Sequence, residues 1–280
     1  MIHDHLAGNL CRCTGYRPIV EAAREACAAS PHATAFDTLS TLSEFTHNGQ
    51  SFYAPNTISE LADVLASNPA ANLLGGGTDL GILVSKEREA LMTVIHTSHV
   101  AELLEIEETE TDINFGAAVT YSEALPFIER LFPSFARLIT RIGSVQIRNV
   151  GTIGGNIANA SPIGDTLPCL IALDAALVLY SNAGERELPI EDFFLGYRKT
   201  DLKAGEFIKA VRIPKLERNQ EFRTYKISKR YDQDISAVIG AYRIELAGEM
   251  LSNARVAYGG MAAVPKRGAA CEASLSGKTW

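Results

Sequence analysis

Two glycine-rich segments constrain the fold and the chemistry of this chain more than any other feature of its sequence. The first is LLGGGTDL, residues 73–80, and the second is GTIGGNIANASPIGD, residues 151–165. Glycine has no Cβ and can adopt positive φ, so such a backbone can approach a ligand closely and turn its N–H groups toward an anion. We expect a diphosphate there. A tight turn and an ordinary surface loop are the respective alternatives.

The spacing of the glycines excludes the two commonest nucleotide-binding motifs. Neither segment matches G-x-G-x-x-G or G-x-x-x-x-G-K-[ST], so Rossmann and P-loop sites are not expected. The second segment contains no Lys or Arg and closes with Asp165, which could accept a hydrogen bond from a ribose or a ring N–H. It lacks the apolar periodicity of a helix, and we therefore predict a ligand-lining loop.

Composition narrows the class of protein. The chain has 280 residues, of which 46% are hydrophobic, and this is enough for a globular core. The net charge is −7 without a basic run, so nucleic acid is not an expected partner. Five cysteines at irregular spacing are a poor disulfide framework and favour a cytoplasmic location. No signal peptide is visible, and the longest apolar stretch, residues 167–180, is interrupted by Asp174 and too short to span a membrane.

Local patterns predict a mixed α+β fold. Thr57 with Glu60, and Thr120 with Glu123, have the capping-box spacing that begins a helix. Pro18 indicates an earlier helix. Further helices are predicted over 135–142, over 167–173 and from Lys266, and strands over 72–74, 93–96, 112–116, 176–180, 207–213, 224–228, 236–246 and 252–258. Because helices and strands do not alternate strictly, an α+β architecture is favoured over a parallel α/β one.

Cys11 and Cys13 form a C-x-C pair near the start of the chain. Cysteines at this spacing are poorly placed to bond each other, so shared ligation of a metal or an iron-sulfur cluster is one interpretation. A four-thiolate site needs two more ligands, and the chain has no C-x-x-C. Bare thiols are therefore at least as well supported as an occupied site.

Four segments together resemble the xanthine dehydrogenase family of molybdenum hydroxylases. GNLCRCTGYRPIVEAA resembles the end of its helical [2Fe–2S] domain, and LLGGGTDL and RNVGTIGGNIANASPIGD resemble its two FAD-binding segments. KISKRYDQDISAV resembles a loop of the bacterial small (iron-sulfur/FAD) subunit. The resemblance covers essentially the whole chain. It implies an FAD-binding domain of the PCMH/vanillyl-alcohol-oxidase type, built of two α+β subdomains.

The resemblance also implies domain boundaries. Residues 1–30 would be the remnant of the helical [2Fe–2S] domain and residues 31–44 a linker. Residues 45–218 would be the FAD-binding domain, and residues 219–280 an incomplete C-terminal α+β flavoprotein domain. The chain is accordingly expected to be truncated at both ends, without the ferredoxin domain that begins the family's small subunit. Cys11 and Cys13 would be half of a [2Fe–2S] site that is complete only in a full-length protein.

Individual cofactor contacts follow from the same resemblance. The diphosphate of FAD would lie against Leu73, Leu74, Gly75, Gly76, Gly77, Thr78, Asp79, Leu80, Thr152, Ile153, Gly154, Gly155 and Asn156. The flavin or the adenine would contact Ile142, Asp165, Ile208 and Lys226. Judged alone, the two isoleucines could be core residues and the lysine a solvated strand charge. Neither glycine segment contains a histidine, so no covalent link to the flavin is predicted.

The implied function is electron transfer. The chain would be the FAD-binding component of a xanthine dehydrogenase, taking electrons from iron-sulfur clusters and passing a hydride to NAD. Asp232 and Asp234 would lie near the flavin ring and the NAD site, although a solvated turn is the alternative for this pair. A subunit that carries a molybdenum cofactor would be the partner, in a hetero-oligomer, and the isolated fragment is expected to be inactive. The alternatives are a flavin subunit acting with CO, an aldehyde or an N-heterocycle, and a non-catalytic docking module.

Overall fold

The computed structural model describes Gly8, residues 17–28 and residues 44–279. Helix α1 (Arg17–Ala28) lies where Pro18 predicted a helix, and none of its residues is buried. Cys11 and Cys13, and most of the predicted linker, lie outside the described residues.

A small sheet begins the main body of the molecule. Its elements are β1 (Glu44–His47), β2 (Gln50–Tyr53), α2 (Ile58–Ser67), β3 (Asn72–Leu74), α3 (Leu80–Ile82, continued by a π-helical turn over Leu83–Glu87) and β4 (Thr93–His96). The strand order is β1-β2-β4-β3, and β4 is parallel to both of its neighbours. Helix α2 begins where predicted, because the Thr57 side chain accepts a hydrogen bond from the Glu60 N–H at 3.2 Å. The β1–β2 hairpin was not predicted.

A second, larger sheet carries the central part of the chain. The strands of this region are β5 (Ile106–Glu108), β6 (Asp112–Gly116), β7 (Ala176–Ser181), β8 (Gly184–Pro189), β9 (Phe194–Gly196), β10 (Lys199–Thr200) and β11 (Phe207–Pro214). Five of them form an antiparallel sheet in the order β5-β6-β11-β7-β8, and β9 and β10 form a separate hairpin. The antiparallel order agrees with the α+β prediction, which is confirmed.

Helices fill the long connection between β6 and β7. They are α4 (Tyr121–Leu131), α5 (Pro133–Ile139), α6 (Val145–Arg148), α7 (Ile153–Ala158) and α8 (Leu167–Ala172), with α9 (Ile190–Phe193) following β8. The capping box of Thr120 and Glu123 begins α4 as predicted. The helix predicted over 135–142 instead spans Pro133–Ile139.

The prediction that the second glycine segment is entirely a loop was wrong, because α7 lies inside it. Glycine is a poor helix former, but Thr152 caps this short helix and two apolar side chains, Ile153 and Ile157, are buried in the core. Tertiary packing therefore overrides the low local propensity.

A third sheet closes the chain. It consists of β12 (Gln220–Ser228), β13 (Ser236–Ala247), β14 (Met250–Gly259) and β15 (Lys266–Arg267), in that order, and is followed by α10 (Ala269–Leu275). The helix predicted from Lys266 was placed too early, because Lys266 and Arg267 pair with β14 before the helix begins.

One large core joins the second sheet, the helices and the inner face of the third sheet. Phe115 and Leu177 from the second sheet, Phe135 from α5, and Phe222 and Ile239 from the third sheet all belong to it. A smaller core lies between α2 and the first sheet. Each large apolar side chain contributes about 1.5–3 kcal/mol on burial, so the third sheet is firmly attached. Within residues 17–28 and 44–279, no helix has the length and apolar character that a bilayer crossing requires.

Candidate functional site

A cavity of about 350 Å³ lies where the two glycine-rich segments meet. The turn after β3 forms one side, α7 forms the other, and residues 117–121 and 202–208 complete the wall. This volume falls in the range of sites that hold small molecules and cofactors. The cavity is therefore the strongest candidate for a binding site in the described part of the chain.

Residues 75–79 of the first glycine segment line this cavity. The segment leaves β3, turns at Gly77, where φ is +70°, and enters α3. Among the described residues, none accepts a hydrogen bond from the N–H groups of residues 75–79. These residues are half-buried or exposed, and a row of N–H groups without protein acceptors forms a concavity that suits an anion. This segment can therefore hold a phosphate or diphosphate.

The two segments touch through their backbones. A Cβ added to Gly76 would lie 1.7 Å from the carbonyl oxygen of Val150 and 2.9 Å from the nitrogen of Gly151. A Cβ on Gly75 would lie 2.9 Å from Oγ1 of Thr152. Real Cβ atoms do not approach other atoms so closely, so only glycine allows this contact.

The second segment uses its backbone donors inside the protein. The N–H groups of residues 153–156 donate to the carbonyl oxygens of Val119 and Ala117, and to Oγ1 and the carbonyl oxygen of Thr152, at 2.9–3.1 Å. Gly154 packs on the neighbouring connection, and an added Cβ would lie 2.5 Å from the Cβ of Ala117. The glycine content predicted that this backbone binds phosphates, whereas in the structure these N–H groups donate to oxygen atoms of the protein. Thr152 and Asn156 still line the cavity.

A buried hydrogen-bond chain holds Asn156 in place. The Tyr121 hydroxyl lies 3.1 Å from Oγ1 of Thr166, which donates to Oδ1 of Asn156 at 2.7 Å. Burial raises the pKa of the Tyr121 phenol well above its usual range, so the phenol stays neutral. Tyr121 also lines the cavity, so these hydrogen bonds stiffen the wall on the side of α7.

Most of the predicted cofactor contacts line this cavity. They are Leu73, Gly75, Gly76, Gly77, Thr78, Asp79, Leu80, Ile142, Thr152, Gly154, Gly155, Asn156 and Ile208. Leu74 and Ile153 do not line it: Leu74 belongs to β3, where its carbonyl accepts from the Thr97 N–H, and the Ile153 side chain enters the core. The contacts of all these residues with FAD remain predictions.

Part of the cavity wall was not predicted from the sequence. The unpredicted lining residues are Thr97, Leu103, Ala117, Ala118, Tyr121, Ile147, Leu202 and Phe207, whereas Gly151, Ala158 and Asn159 belong to the segment that was predicted to line a ligand. One usable signal was the pair Ala117-Ala118, since two small residues directly after a strand allow another backbone to approach. The other positions carry no local signal, because they reach the cavity only through the tertiary fold.

Asp165 and Lys226 contact each other. Lys226 Nζ lies 2.6 Å from Oδ2 of Asp165, and the Ser236 hydroxyl donates to the other carboxylate oxygen. The lysine also donates to the carbonyl oxygen of Arg141 at 3.2 Å. The two charged side chains are only 3% and 10% exposed and lie outside the cavity lining. The pair joins the end of the second glycine segment to the third sheet, and the predicted roles of both residues in cofactor binding stay predictions.

Asp232 and Asp234 lie in the connection between β12 and β13, away from the cavity lining. Asp234 accepts from the N–H of Arg230 at 2.8 Å and from its guanidinium at 3.0 Å, and these bonds lower the pKa of Asp234. Asp232 is exposed. Their predicted place beside a flavin ring and NAD stays a prediction.

Metal-ligand clusters give no second candidate. In residues 17–28 and 44–279, no group of three or more His, Cys, Asp or Glu side chains could hold a metal ion. The predicted half-site of Cys11 and Cys13 lies outside the described residues.

Two family models match the chain. The model described as the FAD binding domain in molybdopterin dehydrogenase matches residues 43–216. The model described as the CO dehydrogenase flavoprotein C-terminal domain matches residues 223–280. Together the two matches take in nearly all of the three sheets.

Curated relatives and solved structures agree with these matches. Xanthine dehydrogenase 1 of Arabidopsis thaliana is 30% identical over 100% of this chain, which spans only 26% of that relative's length. A carbon monoxide dehydrogenase from Hydrogenophaga pseudoflava superimposes with a TM-score of 0.77 at 28% identity, over 82% of this chain and 80% of that one. Quinoline 2-oxidoreductase from Pseudomonas putida 86 does so with a TM-score of 0.76 at 27% identity, over 84% and 82%.

Proposed function

Because the chain belongs to the FAD-binding family of the molybdopterin dehydrogenases, we propose that it is the flavin-carrying electron-transfer component of a xanthine dehydrogenase-type enzyme. The observation that carries this proposal is the shared cavity. The free N–H groups of residues 75–79 and the close backbone contact at Gly76 make a cradle for a diphosphate. A site of this kind favours a cofactor-binding protein over a non-catalytic docking module.

The residues present fit FAD. Residues 75–79 would hold the diphosphate, and the apolar wall that includes Ile142 and Ile208 would receive a flat ring system. Thr152 and Asn156 line the opposite side. FAD would bring the redox chemistry, accepting electrons from iron-sulfur clusters and passing them to NAD as hydride. The chain's own residues bind the cofactor, orient it and exclude water.

The further parts of the proposal concern other molecules. A subunit or domain that carries the molybdenum cofactor would donate the electrons, through clusters that Cys11 and Cys13 help to ligate in a longer protein. Asp232 and Asp234 would influence the acceptor side. We propose a hetero-oligomeric, cytoplasmic enzyme whose oxidised substrate binds outside this chain.

A second candidate is the flavin component of a different molybdenum hydroxylase. The match of residues 223–280 to the CO dehydrogenase flavoprotein C-terminal domain, and the similarity to quinoline 2-oxidoreductase, favour it. The two candidates share the cofactor and differ in the substrate.

A reconstitution experiment tests the shared part. The purified chain is mixed with FAD, freed of excess cofactor by gel filtration and examined by absorbance. We expect flavin bands near roughly 370 and 450 nm, typical of a bound oxidised flavin. A folded protein that stays colourless would refute FAD binding. Anaerobic reduction followed by addition of NAD then tests the acceptor, and reoxidation is expected if NAD is used.

A further inference from the structure

One part of the cavity wall comes from residues 201–206, a connection that belongs to no helix or strand. Leu202 lies between β10 and β11, and Phe207 and Ile208 begin β11. Irregular connections are usually the most mobile part of a fold, whereas a binding wall must keep its shape. Something outside this segment must therefore fix residues 201–206.

Arg186 on β8 binds both ends of this segment. Its Nη1 donates to Oδ2 of Asp201 at 2.9 Å, and its Nη2 donates to the Asp201 carbonyl oxygen at 2.8 Å. Its Nε and Nη2 donate to the two carboxylate oxygens of Glu206 at 2.7 and 2.8 Å. A planar guanidinium with fixed donors suits such a multiple contact better than a lysine. Arg186 thus grips both ends of the turn that contains Leu202.

Glu206 ties the turn to itself as well as to Arg186. Its carboxylate accepts from the N–H of Lys203 at 2.8 Å, and its own N–H donates to the Lys203 carbonyl oxygen at 3.0 Å. Gly205, with φ of +78°, allows this tight turn. The Glu206 side chain is only 9% exposed, and hydrogen bonding from Arg186 holds its pKa below the usual value. Glu206 is therefore charged at neutral pH, and its contact with Arg186 weakens only as the pH falls through that lowered pKa.

Another ion pair of the same sheet provides a contrast. Arg212 contacts Glu187 across neighbouring strands, and the two side chains are 39% and 45% exposed. Neither residue lines the cavity or holds a connection. Such surface pairs contribute little to the free energy of unfolding. Arg186 differs because its partners bracket a cavity-lining residue.

We propose that Arg186 is a positioning residue for the cofactor: by clamping Asp201 and Glu206, it fixes Leu202, which is part of the apolar wall of the site. This inference rests on the proposed function. Arg186 itself touches no part of the cavity, so its effect passes through the segment that it holds.

The test compares Arg186→Gln with the matched control Arg212→Gln. FAD affinity is measured by flavin fluorescence titration, and backbone order by hydrogen–deuterium exchange of the peptide that covers residues 201–208. For Arg186→Gln we expect about tenfold weaker FAD binding, because the cofactor must then order the wall itself, together with faster exchange in that peptide. Arg186→Lys should recover only part of the affinity, since an ammonium cannot reproduce the planar set of donors of the guanidinium. Arg212→Gln should match the wild type in both measurements.

The two readouts separate this inference from the proposed function. Wild-type protein without measurable FAD affinity refutes the function, while faster exchange in Arg186→Gln alone still supports the clamp. Equal exchange and equal affinity in Arg186→Gln and Arg212→Gln overturn the clamp. If Arg186→Gln does not fold, Glu206→Gln replaces it, because this variant keeps the shape of the side chain and the Arg186–Asp201 contact. The same increase in exchange and loss of affinity are then expected, and their absence counts against the clamp.

Discussion

The two glycine-rich segments look alike in sequence but use their backbones differently. Residues 75–79 keep their N–H groups free of acceptors among the described residues, whereas residues 153–156 donate theirs to the chain. The difference arises because α7 starts beside carbonyl oxygens of the β6–α4 connection and is capped by Thr152, while no such acceptors face the first turn among the residues that the structure describes. Glycine content therefore marks close backbone approach, but only the surroundings decide whether a ligand or the protein is approached.

The largest effect on FAD binding is expected from Gly76→Val, which breaks the contact between the segments. The added side chain has no space, since its Cβ alone would lie 1.7 Å from the Val150 carbonyl oxygen. Backbone atoms on both sides must move, so we expect loss of FAD binding and a stability loss of about 1–3 kcal/mol or more. Absorbance after reconstitution and urea unfolding measure the two effects.

Gly81→Ala is the matched control for that variant. Gly81 lies in α3, with nothing within 4 Å of an added Cβ. We expect unchanged FAD affinity and a gain in stability of about 0.5–1 kcal/mol, because alanine is the better helix former. An unchanged flavin content in folded Gly76→Val protein would contradict the diphosphate assignment of the first segment.

The second prediction concerns the stability contributed by Asp165, the acidic residue at the end of the second segment. Asp165→Asn leaves the buried Lys226 ammonium without its counter-charge, and we expect a loss of about 3–5 kcal/mol in urea unfolding. The double variant Asp165→Asn/Lys226→Met should recover most of this loss, because no buried charge remains.

A double variant as unstable as the single one would show that the ion pair is not the cause. FAD titration of the double variant adds a second result. If these side chains also contact the flavin, as the family resemblance predicts, affinity will fall even where stability has recovered.

The smallest effect is expected from Thr152→Ala, which makes the second segment more like the first. The Thr152 hydroxyl accepts the Gly155 N–H at 3.1 Å, and its removal leaves that donor without a partner. Loss of such a cap costs about 1 kcal/mol, measured by thermal or urea unfolding. Thr152→Ser keeps the hydroxyl and should behave like the wild type. Equal losses in both variants would argue that packing of the methyl group matters more than the cap.

Local chemistry in the sequence determined much of the framework. The capping pair Thr120 and Glu123 marked the start of α4, and β3, β4 and β6 fall on the predicted residues. These features depend on residues within a few positions of one another, so a single stretch of sequence contains the information. The glycine segments likewise indicated an FAD site through the family resemblance, because each motif is a continuous run of residues.

The tertiary structure alone decided how those pieces meet. The helix over Gly154 and Gly155 forms because its apolar side chains are buried and its donors find distant carbonyls. The pairing of Asp165 with Lys226, and the grip of Arg186 on Glu206, join residues 61 and 20 positions apart. Long-range contacts of this kind gain their energy from burial and from low-dielectric hydrogen bonding, which no local pattern encodes.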